Sequence, residues 1–112
     1  MKKTFPLHAP GREDRRVLEA IKTEIVRYLK RERRKALPEG GDFWGFDCRV
    51  GKGREEAVKV RASEVGTAVD AVAGEGAGEV YVEILAFAGR RARSGGEDAG
   101  ESAGESAGGV EP

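Results

Sequence analysis

The feature that most limits what this chain can fold into is the apolar spacing between Val17 and Leu29. Val17, Ile21, Ile25 and Leu29 recur every four residues, with Leu18 and Tyr28 beside them, so on a helix they form one continuous stripe. A stripe of that length has to be covered by a second layer. Asp14 is the expected N-cap of this helix. The helix should run to about Lys35 or Ala36 and stop before Pro38, with Gly40-Gly41 completing the break.

The rest of the chain reads as the covering layer. Lys3–Leu7 is a short strand that Pro6 pushes toward an edge or an early end, and His8-Ala9-Pro10-Gly11 is a turn. Asp42–Val50 alternates, with Trp44, Phe46, Cys48 and Val50 on one face and Phe43, Gly45, Asp47 and Arg49 on the other. Gly51-Lys52-Gly53 looks like a hairpin loop that returns through Ala57–Arg61. Ser63 is the expected N-cap of a second helix with the stripe Val65, Ala68, Val69, Val72 and Ala73, ended by Gly74 or Gly76. Val80–Phe87 is the most apolar strand and is expected near the centre of the sheet. The order β-α-β-β-α-β predicts an α+β fold, a small two-layer sandwich with both helices on one sheet face. It matches the split βαβ, ferredoxin-like arrangement. Pro6 counts against that topology, which sets strand one centrally, where a missing N–H is costly.

A chain of 112 residues is one domain at most. A compact part of residues 1–88 buries roughly 60–65% of its unfolded surface, which leaves little margin. Its single cysteine, Cys48, excludes an internal disulfide. No apolar leader follows Met1-Lys2-Lys3, and no stretch approaches the ~20 apolar residues of a membrane span. These features predict a soluble cytoplasmic protein with no membrane partner. From residue 89 the composition shifts, and Ala-Gly-Glu-Ser occurs twice in tandem, at Ala99–Ser102 and Ala103–Ser106. Residues 89–112 are therefore expected to be a disordered acidic tail rich in Gly, Ala, Glu and Ser.

Several runs are familiar: Met1–Leu7, Lys30-Arg31-Glu32-Arg33-Arg34-Lys35, Leu37-Pro38-Glu39-Gly40 followed by Asp42-Phe43-Trp44, then Phe46-Asp47-Cys48, and Tyr81–Ala86. Together they resemble a family of short uncharacterised bacterial proteins, a domain of unknown function, over about residues 1–91. The resemblance implies a bacterial, cytoplasmic protein of compact α/β type. It assigns no residue a role.

The formal charge of zero hides an asymmetry. Residues 1–61 carry 17 Lys/Arg against 10 Asp/Glu, and residues 62–112 carry 3 against 10. The sharpest concentration is Arg27, Lys30, Arg31, Arg33, Arg34 and Lys35 at the end of the first helix. Cations there complement the helix macrodipole. Acid–base pairs three residues apart (Glu13–Arg16, Glu19–Lys22, Glu24–Arg27, Glu32–Lys35) are what a solvated face carries. The last turns nevertheless exceed what pairing needs, and such a run attracts polyanions.

The other candidates are weaker. Phe43, Trp44 and Phe46 are the residue types of a base-stacking sheet, but Trp44 and Phe46 fall on the expected core face, which leaves Phe43 and Tyr81 as a small exposed pair on the other. Cys48, His8, Asp42, Asp47 and Glu39 include the parts of a nucleophilic site, yet Cys48 alternates with the inward residues. One His and one Cys cannot build a structural zinc site. The glycine runs Gly51–Gly53 and Gly74–Gly78 stand in the wrong order for a phosphate loop, which needs strand, glycines, then helix. No catalytic residue, metal ligand or cofactor site is assigned.

The leading expectation is a non-enzymatic module that binds an anionic partner, RNA among them, through Arg27, Lys30, Arg31, Arg33, Arg34 and Lys35. The alternative is a protein-interaction or homodimerisation module that pairs through a sheet edge. A small enzyme using Cys48 or Asp47 comes third. The acidic tail would compete with an anion in cis if it folded back on the basic helix.

Overall fold

The computed structural model describes residues 1–91. The elements are β1 (Lys2–Pro6), α1 (Asp14–Arg33), β2 (Phe43–Gly51), β3 (Val58–Val60), α2 (Val65–Gly74) and β4 (Glu79–Gly89), with short 3-10 turns at Arg54–Glu56 and Ala62–Glu64. The fold is α+β: two helices and a four-stranded antiparallel sheet in the order β1-β4-β2-β3. This order corrects the ferredoxin-like expectation, because β1 lies at an edge and β4 lies between β1 and β2. Two residue choices account for it. Pro6 removes a ladder donor, which an edge strand tolerates, whereas Val80, Val82 and Ile84 make β4 the strand able to be buried completely.

The chain divides into two compact units, Met1–Arg33 with Phe46–Leu85, and Arg34–Gly45 with the segment from Ala86 onward. In the first unit, Val17, Ile21, Ile25 and Leu29 of α1 and Val65, Val69 and Val72 of α2 join Phe5, Cys48, Val50, Val80, Val82 and Ile84 of the sheet in one core. Ile84, Val65, Val69, Val80, Val82 and Cys48 are fully buried. The two helices also touch each other. Lys22 of α1 ties them, with its Nζ 3.0 Å from Asp70 Oδ1 of α2. The Asp70 hydrogen bond and charge hold the Lys22 ammonium above its usual pKa.

The β1–β4 register pairs Phe5 with Val80 and Lys3 with Val82. Lys3 therefore shares the helix side of β1 with Phe5, and its Nζ lies 2.7 Å from Glu24 Oε2 of α1. Two expected helix starts are corrected. The Glu13 carbonyl accepts the N–H groups of Arg16 at 3.0 Å and Val17 at 3.1 Å, so Glu13 is the cap and Asp14 the first helical residue. The Asp14 carboxylate pairs instead with His8 Nδ1 at 2.8 Å. Ser63 lies inside the Ala62–Glu64 turn, and no side chain caps α2 at Glu64. At the other end, Gly76 adopts φ +80° and its N–H bonds to the Ala73 carbonyl at 3.0 Å, a left-handed stop that only glycine takes without strain. Helix α1 ends at Arg33, two residues short of Lys35. The predicted hairpin is present, with Cys48 opposite Val60 and Val50 opposite Val58.

In the second unit, Trp44 Nε1 donates to the Lys35 carbonyl at 2.8 Å and Gly41 N to the Pro38 carbonyl at 2.9 Å. Asp42 N donates to the Gly89 carbonyl at 2.8 Å, and Arg91 N donates to Asp42 Oδ2 at 2.8 Å. Gly89, expected in the tail, is the last residue of β4. Of the expected tail, residues 92–112 lie outside the described residues.

Candidate anion-binding surface

Helix α1 has 20 residues and is therefore about 30 Å long. Ile25 and Leu29 are buried and fix its rotation over its C-terminal half. Arg27, Lys30, Arg31 and Arg33 then stand exposed on the last two turns. Among the described residues no carboxylate pairs with any of these four. The pairs Glu13–Arg16 and Glu19–Lys22 do form, both at 3.7 Å. Glu24 does not serve Arg27, because the β1 register brings it Lys3 instead.

Two of the four cations are held by ring faces. The Arg31 guanidinium sits 5.4 Å from the Tyr28 ring centroid, and that of Arg33 sits 5.3 Å from the Phe46 centroid. A guanidinium stacked on a ring keeps its N–H edge free to meet an oxyanion. Arg34 and Lys35 belong to the second unit, where both are exposed and the Lys35 carbonyl receives the Trp44 indole.

A second basic cluster escaped the sequence reading. Arg12, Arg15 and Arg16, with Glu19, line an open groove at the start of α1. Their adjacency in the chain was the available signal, passed over because Arg16 was paired with Glu13 and Asp14 was assigned to the helix cap. Asp14 turns to His8 instead.

The nucleophilic constellation is not assembled. Cys48 has no exposed surface, and its thiol is pushed up to about 11, first by burial and next by the Asp47 charge, against which Arg33 acts only in part. His8 faces Asp14, and Asp42 accepts the Arg91 N–H. Among the described residues, no three His, Cys, Asp or Glu side chains are grouped to hold a metal ion. No described helix is long and apolar enough to cross a membrane.

The aromatic strand splits as its alternation requires. Phe46 packs against the core of the first unit, and Tyr81 is buried and donates to Glu83 Oε1 at 2.8 Å. That bond and the Glu83 charge raise the Tyr81 phenol above its usual pKa. Phe43, on the other face of β2 from Trp44, lies over Gly89, and Phe87 of β4 lies over Gly45. Neither glycine run forms a phosphate loop. Gly51 closes β2 against the Ala57 backbone, and Gly76 terminates α2.

No curated protein and no solved structure matches the chain. One family model does, across residues 1–95, which takes in both helices, all four strands and every cation discussed above. The chain belongs to the family of unknown function DUF6172.

Proposed function

We propose that this chain is a non-enzymatic cytoplasmic binding module that docks RNA on the C-terminal half of α1, through Arg27, Lys30, Arg31 and Arg33 with Arg34 and Lys35 following in the chain. The observation that carries the reading is the absence, among the described residues, of any carboxylate partner for Arg27, Lys30, Arg31 or Arg33. Cations that serve only a helix face find acidic neighbours three or four residues away, as Arg16 and Lys22 do. Phosphate oxygens would complete the N–H edges that Arg31 and Arg33 hold ready on their rings. Sheet-edge pairing is the weaker reading, because β1 carries Lys2, Lys3 and Pro6, the residues that blunt an edge.

The test is fluorescence anisotropy with a labelled single-stranded RNA. Combined reversal of Arg27, Lys30 and Arg31 to Glu should weaken binding at least tenfold while the far-UV circular dichroism stays native, since all three are exposed. Reversal of Lys59 and Arg61 should leave the affinity unchanged. Equal losses from the two sets would reduce the effect to bulk charge and refute the assignment.

A further inference from the structure

Two phenylalanines in the second unit lie on glycines of the neighbouring strand in a reciprocal pattern. A Cβ built on Gly45 would overlap the tip of the Phe87 ring, with both Cε atoms at 2.7 and 2.8 Å. A Cβ on Gly89 would overlap the Phe43 ring in the same way, with Cε atoms at 2.5 and 2.9 Å. In each case the Cζ and Cε atoms stand at distances too similar for a ring pointing end-on, so the ring meets the glycine with its face. Alternation sets Phe43 and Gly45 on one face of β2, and Phe87 and Gly89 on one face of β4. Both rings therefore lie on the same side of the sheet. Phe87 retains 36% of its surface and Phe43 is half-buried. Each ring thus lays one face on a glycine and keeps part of its surface exposed.

We propose that Phe43 and Phe87 form a stacking platform for two unpaired nucleobases of a single-stranded nucleic acid. Flat aromatic faces on an antiparallel sheet are how single-stranded chains are held when bases must be splayed out. The charge of the same unit suits that occupant. Its described part holds Arg34, Lys35, Arg90 and Arg91 against two carboxylates, Glu39 and Asp42, and the Asp42 carboxylate already accepts the Arg91 backbone N–H. The Arg90 guanidinium lies over Gly40, where a Cβ would meet Nη2 at 2.7 Å. Among the described residues, no carboxylate pairs with Arg34, Arg90 or Arg91, and all three are exposed. The glycines are part of the device, because a side chain at position 45 or 89 would lift the ring off the sheet. This platform goes beyond the helix reading: its rings, its glycines, Arg90 and Arg91 have no part in that reading, and only Arg34 and Lys35 are common to both.

The experiment measures binding of the full chain to labelled oligo(U), to an abasic chain of equal length and to inorganic polyphosphate. Phe43→Leu and Phe87→Leu preserve an apolar cover over each glycine and remove only the π-face. Each should weaken oligo(U) binding by about fivefold or more, the lower end of the range for losing one stacked base, and leave polyphosphate binding unchanged. A 2-aminopurine placed in the oligonucleotide should lose fluorescence on binding the wild type and recover it in the double variant. Equal affinity for oligo(U) and the abasic chain, or Leu variants that bind oligo(U) like the wild type, would overturn the platform. A concentration-dependent dimer in sedimentation that the Leu variants abolish would give this face to a second copy and overturn it too. Failure of the α1 reading is distinct: it appears as polyphosphate binding that ignores reversal of Arg27, Lys30 and Arg31.

Discussion

Replacing Gly51 with alanine adds one methyl group against the backbone of Glu56 and Ala57, just ahead of β3. The new Cβ would stand 2.6 Å from Ala57 Cα, 2.7 Å from Ala57 N and 2.7 Å from the Glu56 carbonyl carbon. Carbon atoms in contact prefer about 3.5–4.0 Å, so the hairpin must open by roughly 1 Å. No flexible side chain can yield, because all three neighbours are backbone. The opening would fall beside buried Val50 and Ala57, one step from the Val50–Val58 pair. Overpacking of this kind costs about 1–3 kcal/mol, and the alanine recovers about 0.4–1 kcal/mol from the unfolded chain. The net loss of about 0.6–2 kcal/mol should lower the melting temperature by about 2–16 °C, at 4–8 °C per kcal/mol for a domain of this size.

Gly74→Ala supplies the matched control. It lies at the end of α2 with nothing within 4 Å of the added atom. The same methyl there should stabilise by about 0.4–1 kcal/mol. Urea unfolding followed by circular dichroism and by the single tryptophan, Trp44, reads both shifts as changes in midpoint at constant slope. A Gly51→Ala protein as stable as the wild type would refute the close approach, and shifts of the same sign in both variants would refute the argument from neighbours.

The remaining predictions concern burial and charge. Ile84→Ala should cost about 2–5 kcal/mol in chemical unfolding, whereas Leu85→Ala, one residue on and 42% exposed, should cost about 1 kcal/mol or less. Equal losses would contradict the facing of β4. Native Cys48, with its thiol pushed up to about 11, should react with iodoacetamide at pH 8 far more slowly than the same thiol in urea. A native rate matching the unfolded one would contradict its burial. Because the thiol titrates from 9.0 when unfolded and from about 11 when folded, the unfolded chain gives up its proton first. The stability Cys48 confers is therefore complete below pH 9 and is lost as pH rises from 9 to 11. Cys48→Ala should remove that part of the alkaline decline in denaturation curves run at pH 8 and pH 10.5. Lys3→Ala should change stability by less than about 1 kcal/mol, since both partners of the Lys3–Glu24 pair are about half exposed, and a larger loss in urea unfolding would point to a further role for Lys3.

Most of the architecture was legible because periodicity is a local property. The four-residue repeat of Val17 to Leu29 and the alternation of Cys48 and Val50 set which faces are buried before any neighbour is known. Strand order is not local, and element order alone suits several sheets. Only Pro6, which favours an edge, and the apolar run of β4, which favours the centre, carried information about it. The caps failed for a related reason. Asp14 and Ser63 have the right chemistry for an N-cap, but the chain turned one or two residues from each, and His8, six residues before Asp14, captured its carboxylate. The loss of Glu24 to Lys3 was likewise invisible, since it depends on the β1–β4 register. Of the aromatic face, Phe43 was placed correctly by alternation. Its companion Phe87 was counted only as part of an apolar strand, and the two glycines beneath the rings gave no signal in a linear sequence.

The measurement that bears most directly on the account is the salt dependence of RNA binding by the full chain. About four phosphate contacts, from Arg27, Lys30, Arg31 and Arg33, predict that log affinity falls with log salt at a slope near −3. Alanine at Arg27 and Lys30 together should bring that slope to about −1.4 without unfolding the protein. A slope near zero, or one that the double substitution leaves untouched, would contradict the assignment of the basic end of α1 as the binding surface.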